Sequence, residues 1–510
     1  MANSEFIFET HAELTKSLSV AGRPIKGLID EIQKVYLADE RPWVIGFSGG
    51  KDSTAVLSLV YSAISMLKIK DLTKPIYVIS SDTLVETPVV VDLLNRTLER
   101  IANKAESNNF PITTHKALPK QDQTFWVNLL GRGYPAPRKN FRWCTERMKI
   151  DPVSRFIIST AAEGGEVVVA LGSRRQESAS RAQVIAKHKI DGSNLARHAS
   201  LPNAYTYMPI EDWSADEVWE YLMSSPSPWG ESHKELFDLY KGSNQGECPL
   251  VIDKSTPSCG NSRFGCWTCT VVNEDKALHS LVETGMDWMK PLLDFRNELF
   301  ESTAPENKTK YRNYKRRTGK VTYATNQDIN DDSVKEIKHV PGPYLMKWRQ
   351  KWIKDLLKMQ KDMNDNGEEI TLIHDFELQS IRQQWLKDPN EPDWSDSLPN
   401  IFAEVYPEHS FEWAENDSGV FTKHDEKILS DLSEKHTVPS ELIVKLIEEE
   451  IVSSGLGKRR GVIKKIEGVL KNDWEDLETV MKRKSKQEKE TAWDDKLKQL
   501  SDLYEQVDTL

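Results

Sequence analysis

Short apolar runs alternate with charged, amphipathic stretches in the first part of the chain. The runs Trp43–Phe47, Ile76–Ser80 and Val167–Leu171 consist mainly of aliphatic and aromatic residues, which is typical of buried β-strands. Charged stretches of helical character lie between them, at 88–106 and 145–162. Strands and helices that alternate in this rhythm predict an α/β fold built on a parallel sheet.

Apolar residues at helical spacing and a capping pattern predict the elements on either side of this region. In the helical leader, residues 1–41, the spaced apolar residues are Ile25, Leu28, Ile29 and Ile32. Further along, Ser214 and Glu217 form a capping box, in which two side chains satisfy each other's backbone N–H groups at a helix start. We therefore expect a helix over Asp216–Leu222.

The remainder of the chain has a helical character. From about residue 275 the sequence is rich in charge, and we expect no further strand there. The polar stretches 361–368 and 388–399 contain turn-forming residues and are interpreted as linkers or surface loops. Residues 424–510 are predicted to form a separate helical unit, because four apolar residues share one helical stripe. This stripe consists of Leu442, Ile443, Leu446 and Ile447.

These patterns divide the 510 residues into five parts. The parts are a helical leader (1–41), an α/β domain (42–245), a cysteine segment (246–275), a helical and basic extension (276–423) and a C-terminal helical unit (424–510). A chain of this length has room for about two to four domains, each with its own core.

Composition is that of a soluble globular protein, with 38% hydrophobic and 29% charged residues. No run of about 18 apolar residues occurs, so we expect no membrane span. The N-terminal sequence also lacks the basic-then-apolar order of a secretory signal. The few, mostly clustered cysteines argue against a disulfide framework and favour a cytoplasmic location. Because the net charge is −11, a polyanionic partner would have to meet local basic patches.

A glycine-rich loop follows the first apolar run and precedes an apolar helical stretch. Its sequence is Ser48-Gly49-Gly50-Lys51-Asp52-Ser53. The loop differs from a Walker A sequence, but its backbone N–H groups and the helix N-terminus can bind an anion, to which Ser48, Ser53 and Thr54 add hydroxyl donors. Lys51 would offset charge on a leaving pyrophosphate. The alternative is a simple glycine turn into a helix.

Four of the five cysteines lie in one short segment, with the spacing Cys248-x10-Cys259-x6-Cys266-x2-Cys269. Thiolates so close in sequence can enclose a soft metal at little cost in chain entropy. Zinc sites usually show two close cysteine pairs, whereas iron–sulfur clusters tolerate uneven spacing, so we favour an iron–sulfur cluster. Zinc and an unliganded structural role are the alternatives.

The fifth cysteine, Cys144, lies more than a hundred residues upstream of the others. Arg142 and Arg147 flank it, and nearby cations lower the pKa of a thiol, which favours a reactive, catalytic cysteine. Such a thiol could carry sulfur as a persulfide or replace one of the four cluster ligands. The alternative is a small buried side chain.

Two arginines and two aspartates are candidate contacts for a bound nucleotide. The guanidinium group matches phosphate oxygens, and we favour Arg174 over Arg175 because of its position after the strand; the alternative for either is a surface ion pair. Asp52 and Asp82 are candidate ligands of Mg²⁺, which normally accompanies phosphates. Asp52 could equally cap the helix after the loop.

Two basic stretches are candidates for contact with a polyanion. The stretch from Lys308 to Lys320 contains seven cations and two tyrosines in thirteen residues, and Lys458–Lys465 follows a glycine turn. Cations can neutralise backbone phosphates, and tyrosine can stack or hydrogen-bond. Solvated helix faces have the same composition, so an ordinary surface is the alternative.

The glycine loop also resembles a known motif. SGGKDST at 48–54 is similar to the PP-loop of the ATP pyrophosphatase and phosphoadenosine phosphosulfate (PAPS) reductase superfamily, whose members cleave ATP between the α and β phosphates. Three further segments resemble later motifs of this family in the same order: Ser81–Pro88, Leu171–Ser178 and Pro209–Leu222. The resemblance spans roughly residues 40–225 and implies an ATP-binding, adenine nucleotide alpha hydrolase-like α/β domain.

A narrower resemblance extends over most of the chain. RWCTERMKIDP at 142–152, PSCGNSRFGCWTCTVV at 257–272 and the long helical C-terminal part resemble the DndC family, the sulfur-inserting subunits of DNA phosphorothioation systems. This resemblance implies DNA as substrate, a cysteine desulfurase as sulfur donor and other DNA-modification subunits as partners. It also implies a [4Fe–4S] cluster, for which the ligands would be Cys248, Cys259, Cys266 and Cys269.

The leading hypothesis is therefore an ATP pyrophosphatase and sulfurtransferase that places sulfur in the DNA backbone, with Lys51, Asp52 and Cys144 as catalytic residues. A second hypothesis is a reductase of small sulfonucleotides, although no cysteine follows Cys269 to act as the mobile nucleophile of such enzymes. Thiolation of tRNA is a variant on the same fold. A third hypothesis is a non-catalytic, cluster-bearing scaffold that binds nucleotide.

Overall fold

The computed structural model describes residues 17–230, 232–243, 265–326, 336–416, 423–454, 461–472 and 474–486. The chain divides into two compact units. Unit 1 consists of Met1–Phe125, Ala136–Glu301 and Met359–His374, and unit 2 consists of Trp126–Pro135, Ser302–Lys358 and Asp375–Leu510. No helix within the described ranges has the length and apolarity that a membrane crossing requires.

Unit 1 is built on a six-stranded sheet, preceded by a two-stranded hairpin. The strands are β1 (Ser19–Val20) and β2 (Arg23–Pro24) in the hairpin, then β3 (Trp43–Gly46), β4 (Ile76–Ser81), β5 (Ile112–Ala117), β6 (Val167–Ala170), β7 (Leu195–Arg197) and β8 (Ala204–Tyr207). The order in the sheet is β5-β4-β3-β6-β8-β7, and every neighbouring pair is parallel except β7 with β8. This arrangement confirms the predicted α/β fold with a parallel sheet.

Helices connect these strands. They are α1 (Ile25–Leu37), α2 (Lys51–Ser65), α3 (Pro88–Ser107), α4 (Asp151–Gly164), α5 (Ala179–His188), α6 (Ala215–Ser224), α7 (Lys234–Ser243), α8 (Lys276–Glu283) and α9 (Lys290–Glu301). Shorter helical turns lie at Ile69–Asp71, Gln121–Gln123, Trp143–Thr145, Glu146–Ile150, Arg175–Glu177 and Asp287–Met289. The predicted capping box is present, since the Glu217 N–H donates to Ser214 Oγ (3.1 Å) and the Ser214 N–H donates to Glu217 Oε2 (2.6 Å).

Burial on both faces explains why the central strands read as continuous apolar runs. All residues of β3 and β6 are buried, as expected of parallel strands covered by helices on each side. Successive side chains point to opposite faces, so Trp43 and Ile45 join the larger apolar cluster while Val44 packs with Val153 and Ile157 of α4. The loops after the parallel strands therefore gather at one edge of the sheet, where the glycine loop follows β3.

Five strands of unit 1 and one strand pair of unit 2 were not predicted from the sequence. β1 and β2 are two residues each and lie within the stretch predicted as a helical leader. β5 reads ITTHKA and is an edge strand whose four middle residues are half-buried or exposed, so it lacks an apolar run. β7 and β8 are too short for a clear alternation. The expectation of no strand beyond residue 275 is wrong, because β9 (Thr322–Asn326) and β10 (Glu336–Val340) pair as an antiparallel ladder. A pair joined by main-chain hydrogen bonds leaves little pattern in the sequence.

Unit 2 contains this strand pair and a set of helices. The longer ones are α10 (Met346–Asp365, of which the part from Met359 belongs to unit 1), α11 (Asp375–Leu386), α12 (Ser397–Val405), α13 (Lys423–His436), α14 (Ser440–Ser454) and α15 (Val462–Leu470). Shorter elements are the π-helical turn Val127–Gly131, the turn Pro305–Asn307 and the single helical turn Lys308–Tyr311. A further helix occupies 477–486.

Two stretches interpreted as linkers or surface loops have more structure than expected. Residues 361–365 are the last turn of α10 rather than a linker. In the stretch 388–399, Asp388, Asn390 and Asp393 are buried rather than exposed. Hydrogen bonds within unit 2 satisfy their polar groups and so compensate for the loss of water. The apolar stripe predicted in 424–510 lies on α14, where its four residues are half-buried and the neighbouring Val444 is buried.

Aromatic rings and one buried ion pair form the centre of unit 2. Tyr311 lies 4.4 Å from Trp348 between ring centroids, and Tyr344 lies 4.8 Å from Trp352. Beside them the fully buried Arg349 donates from Nη1 to Asp388 Oδ2 at 2.9 Å and to the Gly131 carbonyl at 2.9 Å. The charge of Arg349 thus compensates that of Asp388 in a place from which water is excluded.

Candidate active site at the edge of the sheet

The glycine loop forms a compact turn that leads from β3 into α2. Gly49 has a φ of +72°, a left-handed conformation that favours glycine. Ser53 closes the turn, since its hydroxyl accepts from the Ser48 N–H (3.2 Å) and donates to the Gly50 carbonyl (2.9 Å). Gly50 is the N-cap residue and provides no side-chain cap, so backbone N–H groups of the first turn remain available to an anion.

Three charged side chains meet at the start of α2. Asp52 lies between two buried cations: its Oδ2 is 2.9 Å from Lys51 Nζ, and its Oδ1 is 2.6 Å from Arg174 Nε. Arg174 also donates to the Trp213 carbonyl at 3.2 Å. Asp52 occupies the second helical position rather than the N-cap, and its contacts in this structure are ion pairs. Arg174 is therefore brought to the glycine loop, whereas Arg175 pairs with Glu211 and Asp212.

A glycine after β6 allows this approach. A Cβ atom at Gly172 would lie 2.7 Å from the Asp52 carbonyl carbon and 2.9 Å from the Ser53 nitrogen. Both are backbone atoms of the first turn of α2, so they cannot rotate away. The segment Leu171–Ser178, which resembles a later motif of the PP-loop family, thus contacts the glycine loop directly through Gly172.

Replacing Gly172 with alanine is expected to lower the free energy of unfolding of unit 1 by about 1–3 kcal/mol, because the added methyl group must displace the backbone of α2. Equilibrium denaturation followed by circular dichroism measures this change. The matched control is Gly27→Ala in α1, where a Cβ meets no atom within 4 Å and alanine favours the helix. Equal effects of the two substitutions would show that the close contact at Gly172 has no energetic consequence.

Tyr240 of α7 covers the loop. Its hydroxyl accepts from the Lys51 backbone N–H at 3.3 Å, and its ring lies 5.8 Å from Lys51 Nζ. Trp219 of α6 supports the ring at 5.1 Å between centroids. The phenol oxygen thus accepts a hydrogen bond from a backbone N–H at the N-terminus of α2, and a bound phosphate oxygen would use this same N–H. The sequence offered no signal for this residue, because α7 is distant from the loop along the chain.

The loop after β4 forms the adjoining part of the edge. Asp82 Oδ1 accepts from the Leu84 N–H at 2.9 Å, and Asp82 Oδ2 lies 3.5 Å from Lys116 Nζ. Leu84 has a φ of +63°, which is strained for a residue with a side chain. Because β3 and β4 are parallel neighbours, Asp82 and the glycine loop follow adjacent strands at the same edge.

The second half of the cysteine segment pairs with this loop. Glu86 and Cys266 form an antiparallel bridge, supported by hydrogen bonds from the Trp267 N–H to the Val85 carbonyl (3.0 Å) and from the Thr87 N–H to the Gly265 carbonyl (2.9 Å). The Cys266 thiol is also 3.4 Å from Thr83 Oγ1. A thiol of the cysteine segment therefore lies against the loop that begins with Asp82.

Burial dominates the electrostatics of this contact. It raises the pKa of the Cys266 thiol to about 11, although the positive charge of Lys149 opposes the shift. Burial likewise raises the pKa of Glu86 to about 7, against the effect of Lys149 and with that of Asp82. Thr83, Glu86 and Lys149 were not predicted as site residues; Glu86 belongs to a segment that resembles a family motif, but the sequence did not indicate its burial.

Two of the four predicted cluster ligands fall within the described residues, and their arrangement suits a metal–thiolate centre. Cys266 and Cys269 lie in one turn, which the Cys269 N–H closes on the Cys266 carbonyl at 3.1 Å. The environment keeps an unliganded Cys266 protonated, and a soft metal would displace that proton. Cys248 and Cys259 lie outside the described residues. Within the described ranges, no three His, Cys, Asp or Glu side chains converge as a metal site.

Cys144 lies on the short helical turn Trp143–Thr145 and is half-buried. Trp143 stacks on Phe125 at 5.4 Å between centroids. A few residues on, the Met148 carbonyl accepts from Ser81 Oγ, at the end of β4, at 3.3 Å. The segment that contains Cys144 thus runs beside the end of β4, and a catalytic role of this thiol stays a prediction.

Several cations of the first basic stretch, 308–320, make structural contacts within unit 2. Arg312 is buried and donates to the Gly342 carbonyl at 2.7 Å. Lys315 is buried against the Trp474 ring, with Glu441 at 3.4 Å, and Arg317 donates to the Arg132 carbonyl at 2.8 Å. The exposed cations of this stretch include Lys310, Arg316 and Lys320. Of the second stretch, 458–460 lies outside the described residues, while Lys464 and Lys465 are exposed.

Comparison with known proteins finds similarity over the α/β region. Residues 42–272 match the family described as phosphoadenosine phosphosulfate reductase domain. An uncharacterized protein of Methanocaldococcus jannaschii is 27% identical over 233 residues, which are 44% of this chain and 42% of that protein. The chain therefore spans less than half of the length of this relative.

Solved structures with some similarity include two enzymes. One is FMN adenylyltransferase of Candida glabrata in complex with FAD and pyrophosphate, at a TM-score of 0.27 and 14% identity over 44% of this chain and 66% of that one. The other is the U34-tRNA thiolase NcsA from Methanococcus maripaludis with its [4Fe–4S] cluster, at a TM-score of 0.26 and 12% identity over 55% of this chain and 80% of that one.

Proposed function

We propose that the protein is an ATP pyrophosphatase that activates a DNA phosphate for the insertion of sulfur, on the basis of the match of residues 42–272 to the family described as phosphoadenosine phosphosulfate reductase domain. The superfamily binds ATP and consists mostly of enzymes. The DNA substrate and the phosphorothioate product come from the sequence resemblance to the DndC family.

One observation supports sulfur chemistry at this site above all others. The bridge between Cys266 and Glu86 brings the cysteine segment to the loop after β4, while the glycine loop follows the adjacent strand β3. An activated phosphate made at the glycine loop would thus form at the same edge of the sheet as a thiol ligand. Holding two reactants close together in the right geometry can lower the barrier of a transfer by about 7–11 kcal/mol.

The proposed reaction has two balanced steps. A non-bridging oxygen of the DNA phosphate attacks the α-phosphorus of ATP, and the bond to pyrophosphate breaks. Sulfur at the oxidation level of sulfide, delivered by a cysteine desulfurase partner with a reductant, then attacks the DNA phosphorus, and AMP leaves with the former phosphate oxygen. Lys51 and the loop amides would stabilise the charge that develops on pyrophosphate. Asp82 would help to hold Mg²⁺, which would supply further positive charge.

The four cysteines Cys248, Cys259, Cys266 and Cys269 would hold a [4Fe–4S] cluster, which supplies an iron-bound position for sulfur when it is present. The protein's own residues shape the surroundings of that position. Thr83 donates or accepts a hydrogen bond at Cys266, and Arg296 binds the Cys269 carbonyl from Nε at 2.9 Å, which holds the turn of the two thiols in place.

The decisive experiment measures pyrophosphate release by the anaerobically purified protein. With ATP, Mg²⁺ and the sulfur-donor partner present, added DNA should increase the release, and DNA should gain phosphorothioate by mass spectrometry. Stimulation by tRNA and not by DNA would favour tRNA thiolation, and sulfite release from PAPS would favour sulfonucleotide reduction. ATP binding without turnover under all of these conditions would indicate a scaffold.

Serine variants of all five cysteines test the metal centre. We expect Cys248→Ser, Cys259→Ser, Cys266→Ser and Cys269→Ser each to lower bound iron and sulfide and to weaken the visible charge-transfer absorption, because each removes one thiolate ligand. Cys144→Ser should keep the cluster and lose sulfur transfer. Full iron content in the Cys266 variant, or loss of iron in the Cys144 variant, would reassign the ligand set.

A further inference from the structure

A tight turn next to the cysteine segment presents three cations and an exposed aromatic ring. Arg138 and Phe141 form an isolated antiparallel bridge with N–H to carbonyl distances of 3.1 Å and 2.9 Å, so Lys139 and Asn140 form the tip. Phe141 is 41% exposed. Arg142 follows and donates from Nε to the Lys139 carbonyl at 3.2 Å. We refer to residues 138–142 as the basic turn.

Buried contacts hold the basic turn from both sides within unit 1. On one side, the Pro137 carbonyl accepts from Thr270 Oγ1 at 2.7 Å, a buried hydrogen bond to the residue that follows Cys269. On the other side, Trp143 is buried and stacks on Phe125. The turn is therefore positioned by the same cysteine segment that pairs with the loop after β4.

The side chains of the basic turn fit a ligand that has both aromatic faces and negative charges. The Phe141 ring lies next to the tip of the turn and is 41% exposed, so it contributes little to the core, whereas the nearby Trp143 and Phe125 are buried. Arg142 donates to the Lys139 carbonyl, and because a carbonyl is neutral this hydrogen bond does not compensate the charge of the guanidinium group. Successive bases and phosphates of an unpaired nucleic-acid strand offer this combination of stacking surface and charge.

We propose that the basic turn is the contact for the substrate strand: Phe141 stacks on an unpaired base, and Arg138, Lys139 and Arg142 bind the flanking phosphates. This inference rests on the proposed function, since it requires a nucleic-acid substrate. It differs from the sequence-based expectation for 308–320, where Arg312 and Lys315 are buried. The basic turn also lies two residues before Cys144, so a strand bound there would pass the predicted sulfur-carrying thiol.

Binding of a fluorescently labelled single-stranded oligonucleotide to the full-length, anaerobic protein tests the proposal. Phe141→Ala should weaken binding by about tenfold, since loss of one stacked base has an effect of this order, and Phe141→Tyr should restore most of it. The triple variant Arg138→Gln, Lys139→Gln, Arg142→Gln should reduce the slope of log affinity against log salt by about two, because fewer phosphates are neutralised.

The matched control removes three exposed cations elsewhere, with Lys310→Gln, Arg316→Gln and Lys320→Gln. It should change the salt slope much less, and all variants should bind ATP like the wild type, which shows that they are folded. Unchanged binding by the Phe141 and basic-turn variants, with a loss in the control variant, would overturn this inference and leave the proposed function standing. A wild-type protein that binds ATP but no nucleic acid would overturn both.

Discussion

Replacing Lys51 with methionine is expected to slow ATP-dependent pyrophosphate release by about 10²–10³-fold, the usual effect of removing one preorganised group that stabilises developing charge. Lys51 is buried at the first position of α2, beside the N–H groups that suit a phosphate. Its Nζ is held at 2.9 Å by Asp52, so the cation is oriented before the substrate arrives. The initial rate at saturating ATP and DNA measures the effect.

Two further variants separate chemistry from folding at this position. Lys51→Arg keeps the charge with another shape and should retain more activity than Lys51→Met. Lys70→Met removes an exposed lysine of the same unit and should leave the rate unchanged. Asp52 keeps its contact with Arg174 in both Lys51 variants, so the start of α2 should remain folded. A Lys51→Met rate within twofold of the wild type would remove Lys51 from the reaction.

Replacing Arg349 with methionine is expected to lower the free energy of unfolding of unit 2 by about 3–5 kcal/mol, because the buried Asp388 would lose its close cation and keep only the more distant Arg317, at 3.9 Å. The side chains of Arg349 and Asp388 are at most 1% exposed, and their atoms are 2.9 Å apart. Chemical denaturation of the full chain, followed by tryptophan fluorescence, measures the loss. The rings of Trp348 and Trp352 lie in the same core and report on it.

The double variant Arg349→Met, Asp388→Asn provides the internal control. Removing the charge of Asp388 together with that of Arg349 should recover part of the lost stability, so the two effects should not add. The matched control is Arg155→Met, which breaks an exposed ion pair. Arg155 and Asp151 are about half-exposed and one helical turn apart. Exposed pairs of this kind contribute at most about 1 kcal/mol. Equal losses of unfolding free energy in the Arg349 and Arg155 variants would show that burial does not determine the contribution of the ion pair.

Local sequence was sufficient for the elements that have a strong periodic pattern. β3, β4 and β6 are apolar because both of their faces are covered, and the capping box marks the start of α6. Local sequence was insufficient for β5, whose position at the edge of the sheet permits polar residues. It was also insufficient for 388–399, because the charge partner of the buried Asp388 is Arg349, which lies outside that stretch.

The candidate site shows the same division. Short motifs indicated the glycine loop, Arg174 and the close pair Cys266 and Cys269, since each depends on neighbours in sequence. The roles of Glu86, Lys149 and Tyr240 were not predicted, because their significance comes from burial and from contacts with distant residues. In 308–320 the composition did not distinguish the buried Arg312 and Lys315 from the exposed cations, and contact of this stretch with a polyanion stays a prediction.

The sequence by itself determined that this protein has an α/β sheet with a glycine loop after β3 and four cysteines in one short segment, because periodicity and spacing are properties of short segments. Only the tertiary structure decided that Thr83 meets Cys266 across 183 residues and that Arg174 meets Asp52 across 122. The second contact follows from strand order, since the loops after the adjacent parallel strands β3 and β6 share one edge of the sheet whatever their separation along the chain. The first follows from the bridge between Glu86 and Cys266, which joins the cysteine segment to the loop after β4.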